Sequence, residues 1–251
     1  MTHVRRHLFF DFGNTLVDSD AAAGAARRAV TVRAASGSGI EPTANELHTR
    51  SEHAWVAAAE KVDRDYYAPL GDGPIDSQLA AELVIAAYSR HLLAAFGSEL
   101  TSSAVRTLSD AYLQELALST ALLPGVGEAL AELSSAGFRM GIISDNMVEY
   151  VEPPLRHLGL ADHFEPVIIS GREGPGVIKP NPEIFRRALR AANCEASNAV
   201  MIGDNLECDI AGARTCGMRA VWFNRAADIQ ASDQEPYAIV DDLRELPDLL
   251  I

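Results

Sequence analysis

Four short segments of this 251-residue chain combine carboxylates with a lysine, a hydroxyl and glycine-bearing turns. They are Asp11-Phe-Gly-Asn-Thr15, Ser144-Asp145-Asn146, Lys179-Pro180 and Gly203-Asp204, the last followed by Asp209. Taken singly, each has an ordinary structural reading. Aspartate favours turns, serine caps helices, a lysine is normally solvated, and acids suit the start of a helix. Lys179 is nevertheless conspicuous, because Lys61 is the other lysine of the chain against 19 arginines. Glu207 and Asp162 read as solvated charges, and the seven histidines show no ligand spacing.

The elements around these segments are predicted to bring them together. His7–Asp11 is a short apolar run that ends at a carboxylate, the pattern of a buried strand stopping at a turn. From residue 124 onward, helices alternate with apolar runs. The expected strands are 140–144, 166–170, 199–202 and 220–223; the expected helices are 126–136, 147–158, 183–192 and 206–216. Asn181 and Pro182 fit the N-cap and first position of the third of these helices. This alternation predicts a doubly wound parallel α/β sheet. Strand 1 must join that sheet, because its backbone groups have no other partner.

The stretch between differs in texture. Residues 21–35, 44–66, 77–96 and 102–118 are rich in alanine and leucine at helical spacing, so residues 18–118 are expected to form an all-helical domain. It would be inserted into a core made of residues 1–17 and 119–251. In open α/β sheets, ligands bind beyond the carboxyl ends of the strands. The ends of strands 1, 140–144 and 199–202, with Lys179 between, then deliver three carboxylates, a hydroxyl and an ammonium to one edge. Carboxylates so close repel unless a cation joins them, and hard oxygen ligands favour Mg²⁺.

Composition narrows the class further. Hydrophobic residues make up 48% and charged residues 22%, a balance that builds a globular core and not a disordered chain. A net charge of −14 disfavours nucleic acid and anionic membrane surfaces as partners. No uncharged apolar run reaches the roughly 18 residues that span a bilayer. The residues before Asp11 are too short an apolar stretch for a signal peptide. Cys194, Cys208 and Cys216 lack zinc-type spacing, and they are expected to be reduced thiols of a cytoplasmic protein.

The ordered set Asp11-Phe-Gly-Asn-Thr15, Ser144, Lys179-Pro180 and Gly203-Asp204-x₄-Asp209 resembles the four motifs of the haloacid dehalogenase-like hydrolase superfamily. The helical insertion resembles that superfamily's C1 cap. The resemblance implies a Rossmannoid core, Mg²⁺ as cofactor and a small phosphorylated substrate. It implies that Asp11 is the nucleophile. Asp11, Asp204 and the carbonyl of Gly13 would hold the metal, with Asp209 in support. Lys179, Ser144 and the backbone N–H groups of Phe12, Gly13 and Asp145 would cradle the phosphoryl group.

One position departs from the pattern. Phosphatases of the superfamily usually carry a second aspartate two residues after the nucleophile, as general acid and then base; here that residue is Gly13. Glycine keeps the carbonyl and loses the proton donor. Asp18, Asp20, His48, His53 and Tyr66 of the insertion are candidates to replace it. A glycine is also expected wherever the turn needs a positive φ. Two other readings stay open: a 2-haloacid dehalogenase, in which Asp11 attacks carbon of a halogenated substrate without a metal, and a non-catalytic module that binds a phosphorylated ligand.

Overall fold

The computed structural model describes residues 6–39, 41–225 and 235–251. Its centre is β1 (His7–Phe10), four residues that are all buried. Leu8 and Phe10 point to one face and Phe9 to the other, so the strand needs layers on both sides. β1 pairs in parallel with β2 (Arg139–Ser144) and with β4 (Ala199–Gly203), His7 standing opposite Arg139 and Ala199. β3 (Val167–Ile169) flanks β2; β5 (Arg219–Phe223) and β6 (Ala238–Val240) extend the sheet beyond β4. The order β3-β2-β1-β4-β5-β6 reverses direction at β1, and the carboxyl ends on either side of that reversal are where such sheets bind ligands.

Between β1 and β2 the chain forms α1 (Ser19–Ser36), α2 (Ala44–Val62), α3 (Ser77–Ala95) and α4 (Ser102–Ser119). Each starts at a side chain that accepts from the first turn: Asp18, Thr43, Asp76 and Thr101, with Glu46 completing a capping box at Thr43. α1 packs chiefly on α4 and α2 on α3. Small residues (Ala26, Ala54, Ala58, Ala87, Ala111) let the helices approach around the fully buried Tyr88 and Tyr112. The Tyr88 hydroxyl is hydrogen-bonded to Ser51 at 2.9 Å, which satisfies it inside that core.

The remaining helices cover the sheet. α5 (Val126–Ser135) buries Val126, Ala129, Leu130 and Leu133 on the Leu8/Phe10 face, together with α6 (Glu152–His157) and a C-terminal helix at Leu246–Leu250. On the Phe9 face, α7 (Pro182–Ala192) packs Ile184, Phe185 and Ala188 against Ile143 and Met201. Its start is as expected: Asn181 Oδ1 accepts from Glu183 N at 3.0 Å, with Pro182 at the first helical position.

Four differences from expectation have local causes. α2 is regular only to Val62, and a π-turn over Asp63–Tyr67 follows. That turn aims the Tyr66 hydroxyl at the backbone of Asp76, whose N–H donates to it at 2.9 Å. The helix expected over 147–158 is split into a 3₁₀ turn at Val148–Tyr150 and α6, because Pro153 and Pro154 supply no N–H to the preceding turn. After β4 the chain runs through a π-turn, Leu206–Ala211, before a short α-turn at Gly212–Thr215. β6, a three-residue edge strand, was not expected. Among the described residues no helix is long and apolar enough to cross a membrane.

Phe185 ties α7 to the segment after β4. A Cβ on Gly212 would lie 2.6 Å from its ring, so glycine is what allows the close approach. Phe185→Ala is expected to cost about 3–5 kcal/mol in urea unfolding; a loss below about 1 kcal/mol would mean that the site collapses without cost.

Candidate active site

Asp11 is the first residue beyond β1, and its N–H still donates to Ile202 O of β4 at 2.9 Å, so the sheet itself fixes its Cα. The chain then turns back. Leu16 N donates to Phe12 O at 3.0 Å and Asn14 N to Val17 O at 2.8 Å. The positive φ of that turn, 57°, belongs to Asn14, a residue type that tolerates it. Gly13 has no positive φ, so the conformational reason for glycine expected there does not apply.

Lys179 is buried, not solvated. Its Nζ donates to Asp11 Oδ1 at 2.8 Å and to Asp209 Oδ1 at 2.6 Å. Burial alone would lower its pKa, but Asp11, Asp209 and Asp145 around it push it well above the usual lysine value. The three carboxylates therefore favour the ammonium form. Asp145 does more than lend a backbone group: its Oδ1 accepts from Lys179 N at 2.8 Å and so anchors the lysine's backbone. Burial drives the Asp145 carboxyl up to about 6, with Lys179 opposing.

The π-turn after β4 explains Asp209. Asn205 closes the turn, its Oδ1 accepting from Glu207 N at 3.0 Å and Cys208 N at 2.8 Å. Asp209 then folds back, its Oδ2 accepting from Asn205 N at 3.0 Å. Its carboxylate lies so near Gly203 that a Cβ there would come within 2.3 Å of it, so no larger residue fits before Asp204. Asp204, the most open of the three acids, accepts from Thr15 Oγ1 at 3.4 Å.

Carboxylate oxygens of Asp11, Asp204 and Asp209 lie within 4.8 Å of one another. Burial, more than any other influence, pushes the Asp11 carboxyl up to about 7; Asp209 and Asp204 push the same way and Lys179 opposes them. Burial and Asp209 raise Asp204 as well. One ammonium does not compensate three carboxylates, and the donors are all hard oxygens. That set fits a divalent cation such as Mg²⁺.

Ser144 ends β2, fully buried, and its Oγ accepts from Asn146 N and Nδ2, each at 3.4 Å. The loop after it is held by the inserted helices. Met147 packs within their core, and Tyr150 donates to Tyr112 at 3.0 Å. Gln78 of α3 accepts from Val148 N at 3.0 Å and donates to Glu149 at 2.9 Å. The structure thus brings Asp11, Ser144, Asp145, Lys179, Asp204 and Asp209 to one sheet edge. The Phe12 side chain goes into the core.

The expected replacement donors fare differently. Tyr66 is engaged by the Asp76 backbone, Asp18 caps α1, and His48 and His53 are exposed on α2. Asp20 accepts from Asn14 Nδ2 at 3.4 Å, among the described residues the one side-chain link from these candidates to the Asp11 loop.

The sequence signature of the haloacid dehalogenase-like hydrolases matches residues 6–217. The chain belongs to that family. The chain superposes on a crystal structure of a 2-haloacid dehalogenase from Pseudomonas syringae with a TM-score of 0.71, at 27% identity over 98% of both chains. It is 41% identical over 141 residues to a glyceraldehyde 3-phosphate phosphatase of Pyrococcus abyssi, covering 56% of this chain and 55% of that one. A phosphoserine phosphatase of Thermus thermophilus is 36% identical over 141 residues, with 56% and 55% covered. The chain thus spans about half the length of the curated relatives it matches.

The raised Asp11 carboxyl has a measurable consequence. Without metal, folded Asp11 holds its proton up to about pH 7, whereas unfolded aspartate loses it near 3.9. The folded state binds more protons in that window, so its stability must fall as pH rises through it. In chelator, urea unfolding is expected to show a loss on the order of 2–3 kcal/mol from pH 5 to 8, removed by added Mg²⁺. Stability that rises over this range would contradict the assignment.

Proposed function

We propose that this hydrolase is a Mg²⁺-dependent phosphatase of a small phosphorylated metabolite, with residues 18–118 as a cap over a core of 1–17 and 119–251. The observation that carries the reading is the buried contact of Lys179 with Asp11 and Asp209, within reach of Asp204. It unites a nucleophile, a fixed positive charge and a set of cation ligands. The names of the phosphatase relatives support phosphate esters as the substrate class.

Asp11 acts as nucleophile. One carboxylate oxygen forms a bond to phosphorus as the bond to the leaving oxygen breaks, giving an aspartyl-phosphate that water then cleaves. Lys179 has three N–H donors; two hold Asp11 and Asp209, and the third serves a phosphoryl oxygen. Ser144 Oγ and the N–H groups of Phe12, Gly13 and Asp145 complete the cradle. Asp11, Asp204 and the Gly13 carbonyl would hold Mg²⁺, and Asp209 keeps Lys179 and the π-turn in register. When bound, the cation neutralises charge on the attacking carboxylate and the phosphoryl oxygens.

The dehalogenase reading has two observations of its own: the likeness to the Pseudomonas syringae protein and the absence of an acid at Gly13, since a halide leaves without a proton. Metal dependence separates the two. A panel of phosphorylated metabolites and 2-haloacids is assayed with EDTA and with Mg²⁺. The phosphatase reading expects phosphate release with Mg²⁺ alone, and a single-turnover rate about 10²–10³-fold lower in Lys179→Met. Halide release in EDTA, without phosphate release, would overturn it.

A further inference from the structure

The corner beside Gly13, where an acidic side chain would otherwise start, is filled from α1. A Cβ on Gly13 would lie 2.8 Å from Ser19 Oγ and 3.5 Å from Asn146 Nδ2. Ser19 is the first residue of α1. Its backbone N–H is taken by Val17 O at 3.1 Å and Asn14 Oδ1 at 3.2 Å. Its hydroxyl makes no hydrogen bond among the described residues, and the residue is half-buried. Asn146 spends one amide proton on Ser144 Oγ at 3.4 Å, which leaves the second free for the same corner. Ser19, Asn146 and Ser144 thus line an arc of neutral donors next to the phosphoryl cradle.

We propose that Ser19 is a catalytic residue whose hydroxyl, joined by the second N–H of Asn146, hydrogen-bonds the leaving oxygen of the substrate. The inference rests on the phosphatase reading above and assigns the leaving-group side of that site. As the Asp11 oxygen bonds to phosphorus, the electron pair of the breaking P–O bond goes to the leaving oxygen. Ser19 stabilises that charge while keeping its own proton, since an alcohol is far too weak an acid to give it up, and water supplies the proton afterwards. Asp20 cannot take this role as found, because its carboxylate is an acceptor already directed at Asn14. A neutral donor stabilises a developing anion less than a proton transfer does. The site therefore suits esters whose leaving oxygen is weakly basic: aryl, enol or acyl phosphates, in preference to those of simple alcohols.

The test is single-turnover phosphate release from aryl phosphates running from nitrophenyl to phenyl, with Mg²⁺, in wild type, Ser19→Ala and Ser19→Thr. Asp18 still caps α1 in both variants, with its Oδ1 accepting from Ala21 N at 3.0 Å. Ser19→Ala is expected to leave the nitrophenyl ester nearly unchanged and to slow the phenyl ester about tenfold, so that the rate depends more steeply on leaving-group basicity. Ser19→Thr, which keeps the hydroxyl, is expected to restore the wild-type slope. A structural role would slow every ester by the same factor. Equal slopes in wild type and Ser19→Ala overturn the inference, as does a Ser19→Thr slope that matches alanine. If wild type releases phosphate from none of the esters, the phosphatase reading fails and takes this inference with it.

Discussion

A buried ammonium between two buried carboxylates governs this molecule's architecture. Removing such charges from water costs several kcal/mol each, and their attraction repays it only when the geometry is held closely. Lys179 meets Asp11 at 2.8 Å and Asp209 at 2.6 Å, and these partners come from the end of β1 and the π-turn after β4. The sheet fixes the first, the Gly203 contact fixes the second, and Asp145 holds the lysine's backbone. Three carboxylates around one ammonium still leave an excess of negative charge. Burial, with Asp209 and Asp204 acting the same way and Lys179 against them, raises the Asp11 carboxyl, and the excess of hard oxygen donors fits a cation.

The same edge is tied to the inserted helices through the loop after β2. The end of β2 and that loop give Ser144 and Asp145 to the site, while Met147 and Tyr150 belong to the helical core and Gln78 grips Val148 and Glu149. Gly171 belongs to this contact: a Cβ there would lie 2.7 Å from Gln78 Oε1. The inserted helices and the segment that carries Ser144 are thus packed as one unit through this loop.

The parallel sheet, the helical insertion and the convergence of four segments were legible because each strand is a short apolar run ending at a polar residue. Lys179 was legible as an oddity of composition; its burial was not, since nothing in Ile178-Lys179-Pro180 distinguishes an ammonium under two carboxylates from one in water. β6 escaped because three residues at a sheet edge carry too little pattern, although Tyr237–Val240 followed by two aspartates is an apolar run with a stop signal. The π-turn after β4 escaped because its apolar spacing resembles that of an α-helix; what widens it is the return of Asp209 to Asn205 N. The positions of Ser19 and Gln78 depend on how α1 and α3 meet the sheet, which no local pattern encodes.

The central claim is that Asp11 itself takes up the phosphoryl group. The most direct measurement is acid quench of the Mg²⁺-loaded protein during turnover of a phosphate ester, followed by peptide mass spectrometry. The account predicts one added phosphoryl group on the peptide that contains Asp11, absent when EDTA replaces Mg²⁺. Phosphate release at full rate, with no label on that peptide at any quench time, would contradict it.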